Sequence, residues 1–123
     1  MHKVLIADDE RNIRHILDFS LHAEGFDVIL AENGEQAFDL ALSEVPDLII
    51  LDVMMPGRSG IDTCRLLKQD HRTARIPVVL LTAKTGREDR QIGLQAGADH
   101  YITKPFSPHT VVETVQALLG VAH

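Results

Sequence analysis

In the run Asp47-Leu48-Ile49-Ile50-Leu51-Asp52-Val53-Met54-Met55-Pro56-Gly57, every residue between Asp47 and Asp52 is aliphatic, and the run stops at a Pro-Gly turn. An aliphatic run closed by turn residues is typical of a strand buried on both faces, as in parallel sheets. Burying an unpaired charge at the end of such a strand is costly. We therefore expect Asp52 to have a cation, a proton or a reaction as its partner.

Length and composition fit one globular domain. The chain has 123 residues, of which 45% are hydrophobic and 24% charged. Its net charge of −6, without a cluster of Lys or Arg, argues against nucleic-acid binding. A single cysteine, no signal-peptide pattern and no apolar run of the roughly 18 residues that span a membrane predict a cytoplasmic domain over residues 1–123.

Short aliphatic runs alternate along the chain with segments of helical periodicity. The predicted strands cover residues 4–7, 27–31, 47–52, 76–82 and 100–103. The first predicted helix carries an apolar stripe that includes Ile16, with Arg14 off that stripe, and it ends at Gly25. The second stops before Pro46, the third ends near residue 69, and the last two cover about 88–96 and 108–119.

This alternation predicts a parallel sheet with helices on both faces. For five strands we expect the α/β flavodoxin-like fold, (βα)5, with strand order 2-1-3-4-5. In such sheets, ligands bind outside the carboxyl ends of the strands, where the strand order reverses. Here that point lies between the first and third strands.

Polar side chains follow four of the predicted strands. The first strand ends in Asp8-Asp9, the third in Asp52, the fourth in Thr82-Ala83 and the fifth in Lys104-Pro105. Each has an ordinary explanation by itself, as a helix-start acid, a turn residue, a strand end or a solvated lysine. Together at one edge they indicate a site, and three repelling carboxylates call for a cation such as Mg²⁺.

The chain closely resembles the receiver domain of two-component response regulators, the single-domain chemotaxis type included. The resemblance runs from Val4 to Leu119. It is carried by five motifs: Leu5-Ile6-Ala7-Asp8-Asp9-Glu10, Ile50-Leu51-Asp52-Val53-Met54-Met55-Pro56 with Gly60, Leu81-Thr82-Ala83, Gly97-Ala98-Asp99, and Tyr101-Ile102-Thr103-Lys104-Pro105-Phe106.

The resemblance implies a phospho-acceptor signalling domain of a two-component system or phosphorelay. Asp52 would accept a phosphoryl group from a phosphohistidine on a sensor histidine kinase or a histidine phosphotransfer protein. Asp9 and Asp52 would ligate Mg²⁺, with Asp8 binding through water and the Met54 backbone carbonyl completing the protein ligands. The domain would catalyse only its own phosphorylation and dephosphorylation, so we do not expect an enzyme in the ordinary sense.

The same resemblance assigns the remaining site residues. Lys104 would neutralise phosphoryl charge, while the Thr82 hydroxyl and the Ala83 backbone N–H hold a phosphoryl oxygen. Thr82 and Tyr101 would be the switch residues that reshape the face of the fourth helix, fifth strand and fifth helix for an output partner. The Lys104-Pro105 peptide is cis in the family.

Two departures from the family pattern bear on behaviour. Thr110 and Thr114 stand where the large DNA-binding subfamily usually carries an acidic residue and an arginine, which predicts a monomer or a weak, phosphorylation-dependent dimer. Met54 and Lys84 flank the expected path of the hydrolytic water, and both are long, which predicts slow to moderate autodephosphorylation. A stand-alone receiver and one domain of a larger regulator fit the sequence equally.

Three rival functions fit less well. A phosphatase-like enzyme that forms an aspartyl-phosphate would want Asp-x-Asp at one strand end, together with a cap or substrate pocket. A flavin or nucleotide carrier would want a Gly- or Ser/Thr-rich phosphate loop where Asp8-Asp9-Glu10 stands. A phosphorylation-independent interaction module would not need Asp52 and Lys104, and both are present.

Overall fold

The computed structural model describes residues 2–83 and 87–121, without the side chains of 87–89. Strands and helices alternate as the sequence predicts. The strands are β1 (Lys3–Ala7), β2 (Asp27–Ala31), β3 (Leu48–Asp52), β4 (Val78–Thr82) and β5 (His100–Thr103). The helices are α1 (Arg11–Ala23), α2 (Gly34–Glu44), α3 (Gly60–Gln69), α4 (Arg87–Gln95) and α5 (Pro108–Leu119).

The five strands form one parallel sheet in the order β2-β1-β3-β4-β5. Asp52 pairs in register with Leu81, and Thr82 pairs with Thr103, so the polar strand ends lie along one edge. The predicted fold is therefore confirmed. The reversal of strand order between β1 and β3 sets the Asp8-Asp9 pair beside Asp52.

The central strands β1, β3 and β4 are buried on both faces, and their side chains alternate between two apolar layers. Leu5 and Ile49 point to the layer shared with α2 and α3, while Ile6 and Ile50 point to the layer shared with α1 and α5. Burial on both faces explains why these strands read as continuous aliphatic runs. Among the described residues, no helix combines the length and the apolar content that a membrane span requires.

Side-chain caps fix where three helices begin. The Asn33, Ser59 and Ser107 side chains accept hydrogen bonds from the backbone N–H groups of Gln36, Asp62 and His109. These are the residue types that favour helix starts, since their short side chains reach the unpaired N–H groups of the first turn. The carboxyl end of the sheet is thus lined by helix starts of defined position.

Local expectations differ from the structure in three places. β4 starts at Val78 rather than at residue 76, because the backbone N–H of Ile76 bonds to the carbonyl of Thr73 and Pro77 has no N–H. Ile16 is 45% exposed instead of lying on the buried stripe of α1. Arg14, expected on the solvent side, keeps only 13% of its side chain exposed.

Candidate functional site

Three carboxylates meet at the reversal point of the sheet. Asp8 and Asp9 follow β1, and Asp52 ends β3. One carboxylate oxygen from each lies within 4.8 Å of the other two. An all-oxygen donor set of this kind suits a hard divalent cation such as Mg²⁺. The acidic triad can therefore hold a metal ion.

Two members of the triad are buried and short of compensating charge. Asp8 is fully buried and Asp52 is 2% exposed, whereas Asp9 faces solvent. Burial, together with repulsion from Asp8, raises the pKa of Asp52 to about 6. Burial also raises the pKa of Asp8, although the Glu10 N–H and Lys104 oppose that rise. The carboxylates of the triad thus carry more negative charge than the surrounding protein groups stabilise.

Lys104 is the cation of this centre. Its Nζ lies 3.3 Å from Asp52 Oδ1, 3.4 Å from Asp8 Oδ2 and 3.5 Å from Glu10 Oε1. The pKa of Lys104 is raised: burial alone would lower it, but Asp52 and Asp8 stabilise the ammonium by more. A positive charge therefore lies within 3.5 Å of three carboxylates.

Arg14 supports the loop that carries Asp8 and Asp9, a role that the sequence analysis missed. Its Nη1 donates to the backbone carbonyl of Asp8 at 2.7 Å, and its Nη2 lies 3.7 Å from Glu32 Oε1. The backbone N–H of Asp8 donates to the carbonyl of Ala31 at 3.2 Å. Asp8 is thus held from both sides. The sequence did not indicate this role, because the periodicity of α1 places Arg14 off the apolar stripe and so predicts that it faces solvent.

The loop after β3 folds back on the strand that carries Asp52. The N–H of Gly60 donates to the Val53 carbonyl at 3.0 Å, and a Cβ at Gly60 would collide with the Asp52 carbonyl, so only glycine fits. The N–H of Met54 donates to Asp52 Oδ1 at 3.3 Å, and the Met54 side chain is 61% exposed. Met54 therefore lies at the rim of the triad.

The remaining predicted site residues lie along the β4 and β5 ends. Thr82 is buried, and its carbonyl accepts a hydrogen bond from the Lys104 N–H at 2.6 Å. Ala83 is exposed and shares an apolar groove with Lys104. The Lys104-Pro105 peptide is cis, as the resemblance predicts. Lys84, expected beside the water path, lies outside the described residues.

The expected switch and dimer positions lie on α4, β5 and α5. Tyr101 is half-buried on β5, and the Arg90 guanidinium lies 6.0 Å from its ring centre. Thr110 and Thr114 are on α5, where the Thr114 hydroxyl donates to the Thr110 carbonyl at 2.8 Å. The Thr114 hydroxyl thus bonds within its own helix.

The family comparison agrees with this geometry. Residues 4–116 match the family model described as the response regulator receiver domain. All 123 residues align with CpxR of Escherichia coli K12, a transcriptional regulatory protein, at 46% identity. The chain covers 51% of CpxR, so it spans about half the length of this relative.

Solved structures with the same fold cover nearly the whole chain. The chemotaxis response regulator CheY4 of Vibrio cholerae superposes with a TM-score of 0.92 at 34% identity, over 97% of this chain and 99% of that one. The BeF3-activated N-terminal receiver domain of Klebsiella pneumoniae RstA gives 0.88 at 28% identity, over 96% and 98%.

Proposed function

This chain belongs to the response regulator receiver domain family, the phospho-acceptor signalling domains of two-component systems, and we propose that Asp52 receives the phosphoryl group. The carrying observation is the position of Asp52: it ends a central strand, 3.3 Å from Lys104 Nζ and within the acidic triad. A rigid, buried carboxylate with a cation at its side is what an aspartyl nucleophile requires.

The reaction transfers a phosphoryl group from a histidine nitrogen to a carboxylate oxygen. A carboxylate oxygen of Asp52 forms a bond to the phosphorus of a phosphohistidine, and the P–N bond breaks as the imidazole leaves with its electron pair. The product on this chain is an acyl phosphate. Because the transition state of phosphoryl transfer is loose, the protein contributes mainly by positioning groups and neutralising oxygens.

Asp9 and Asp52 are the proposed direct ligands of Mg²⁺, with Asp8 contributing through water and Met54 through its backbone carbonyl. The donors fit, since three carboxylates lie within 4.8 Å of one another and two have raised pKa values. When bound, Mg²⁺ supplies charge neutralisation at the phosphoryl oxygens. Arg14 keeps the Asp8 backbone in place for this arrangement.

Lys104, Thr82 and Ala83 are the proposed contacts of the phosphoryl oxygens. Lys104 stands over Asp52, and β4 and β5 bring Thr82 and Ala83 to the same edge of the sheet. The ammonium, a hydroxyl and a backbone N–H would each meet an oxygen that gains charge in the transition state. The exposed Met54 side chain at the rim supports slow to moderate autodephosphorylation.

Receiver domains work with sensor kinases and output domains. For this chain we place the readout on the face formed by α4, β5 and α5, with Thr82 and Tyr101 as the switch. Phosphorylation adds about −1.5 to −2 charges beside Thr82, which gives the switch its driving force. Because Thr110 and Thr114 carry no charge for ion pairs between chains, a monomer or a weak phosphorylation-dependent dimer fits this face. Residues 1–123 would act as one receiver unit.

Intact-mass analysis tests the proposal. After incubation with Mg²⁺ and a small phosphodonor, we expect the protein to gain one phosphoryl group, and Asp52→Asn to gain none. Asp9→Asn should slow the gain through weaker metal binding, whereas Asp62→Asn, a matched change on the exposed start of α3, should leave it unchanged. A phosphoryl group on another residue, or none on the wild type, would refute the assignment.

A further inference from the structure

Lys104 has a third carboxylate partner that belongs neither to the acidic triad nor to the phosphoryl contacts. Glu10 Oε1 lies 3.5 Å from Lys104 Nζ, close to the 3.3 Å and 3.4 Å of Asp52 and Asp8. The side chain of Glu10 is 61% exposed, whereas that of Asp52 is 3% exposed. Glu10 therefore contacts Lys104 from the solvent side, and the two aspartates contact it from the protein interior.

The start of α1 gives no other reason for a glutamate at this position. Glu10 is the residue that precedes the helix, where Ser, Thr, Asp and Asn are favoured because their side chains reach back to the first N–H groups. Within the described part of the chain, the Glu10 side chain makes no such capping bond. Its backbone N–H is instead held by Asp8 Oδ1 at 2.9 Å. That bond fixes the main chain of Glu10 and directs its side chain over the site.

We propose that Glu10 is a positioning residue for Lys104, which holds the ammonium over Asp52 when the triad carboxylates turn to a cation. This inference rests on the proposed function. The Glu10–Lys104 ion pair involves no member of the triad, so it can remain when Asp52 binds the metal ion directly and Asp8 binds it through water. An ammonium has three N–H donors, so it can keep Glu10 and still donate to a phosphoryl oxygen.

The pair acts on the freedom of a flexible side chain. Lys104 keeps only 16% of its side chain exposed, yet lysine has four rotatable bonds and loses much rotamer freedom when it is fixed. Glu10, on the solvent side, keeps the Lys104 side chain partly ordered before the phosphoryl group arrives. Without Glu10, each transfer must order Lys104 itself, and the rate falls while the affinity for the phosphodonor does not.

Chemical reactivity of Lys104 tests the positioning without any phosphorylation. Metal-saturated protein is treated with a limiting dose of acetic anhydride, and acetylation of Lys104 is measured by peptide mass. In Glu10→Gln we expect at least threefold faster acetylation of Lys104 than in the wild type. Glu44→Gln removes the same charge from an exposed ion pair with Lys3, which is not part of the site, and it should react like the wild type. Equal reactivity in Glu10→Gln and Glu44→Gln would overturn the proposal.

A kinetic cycle separates positioning from a general loss of charge. With a small phosphodonor and saturating Mg²⁺, Glu10→Gln should lower the maximal rate of phosphorylation by about three- to tenfold and leave the half-saturating donor concentration unchanged. In a Lys104→Met background the same change should have no further effect. Additive effects in this cycle would reject the proposal. If the wild type takes up no phosphoryl group, the proposed function fails, and the acetylation comparison still decides the role of Glu10.

Discussion

Lys68 and Lys104 both bind carboxylates with most of their side chains buried, but the charges around them differ. Lys68, on α3, bonds to Asp99 Oδ2 at 3.0 Å and to the Ile76 carbonyl at 2.7 Å, with 18% of its side chain exposed. Asp99 Oδ2 also accepts the Val78 N–H at 2.8 Å. Lys104, with 16% exposed, serves three carboxylates at 3.3 to 3.5 Å.

The difference is one of charge balance. At the Lys68 centre one cation meets one anion, and backbone carbonyls take up the other donors, so each group is satisfied. At the Lys104 centre negative charge exceeds positive, and burial together with this excess raises the pKa values of Asp8 and Asp52. The first arrangement stabilises the fold. The second leaves an excess of negative charge that a proton or a bound cation can neutralise, which is a property that a metal-binding site needs.

The largest effect on stability is expected at the balanced centre. Lys68→Met should lower the free energy of unfolding by about 3 kcal/mol, because it leaves two carbonyls without their donor and Asp99 with only the Val78 N–H. Urea denaturation measures the loss. Lys3→Met, which removes the exposed pair with Glu44, should cost less than about 1 kcal/mol. Equal losses in the two variants would contradict the distinction drawn between the two kinds of pair.

Replacing aspartate by asparagine should change the free energy of unfolding in opposite directions at the Lys104 and Lys68 centres. Without metal at pH 7.5, Asp52→Asn should raise the free energy of unfolding by about 2 kcal/mol, since it removes a buried charge whose pKa is shifted by about two units. Asp99→Asn should lower it, because Lys68 loses its anion. Both are measured by urea denaturation in EDTA. A loss of stability in Asp52→Asn would show that Lys104 already balances the site.

Much of this organisation is readable from the sequence, and the exceptions have physical reasons. The five strands, their order and the convergence of Asp8, Asp9 and Asp52 follow from aliphatic runs and from where polar residues end them. Helix periodicity misplaced Ile16 and Arg14, because it assigns a face by residue type. A long side chain can bury its stem and deliver a charge to a distant backbone carbonyl, as Arg14 does.

Pairings between side chains were the least predictable part of the site. Lys104 was placed at the cleft by its position after β5, but nothing in its neighbours along the chain indicated Glu10 as a partner. That contact depends on how the loop after β1 turns, which the Asp8 side chain decides by accepting the Glu10 N–H. Local patterns carry information about single elements, whereas such contacts depend on the geometry of two loops.

Lowering the pH should reduce the difference in the free energy of unfolding between the wild type and Asp52→Asn. The folded pKa of Asp52 is about 6 and its ordinary value is 3.8, so the folded state binds this proton more tightly. The charge penalty is therefore fully present above pH 6 and is relieved as pH falls through 6. We expect the stability difference between the two proteins, measured in EDTA, to shrink by about 1 to 2 kcal/mol from pH 7.5 to 4.5. A difference independent of pH would mean that Asp52 titrates normally.

Magnesium should neutralise the excess negative charge at the Lys104 centre and leave the Lys68 centre unchanged. A ligand at ten times its dissociation constant stabilises the folded state by about 1.4 kcal/mol, and we expect a gain of this size in the wild type. Asp52→Asn lacks one carboxylate of the triad, so its gain at the same Mg²⁺ concentration should be smaller. Lys68→Met, although less stable, should gain as much as the wild type, because its centre contributes no metal ligand. Thermal unfolding with and without Mg²⁺ gives all three values. An equal gain in stability in Asp52→Asn would show that Mg²⁺ does not bind at the triad. The excess negative charge of the triad would then need another explanation.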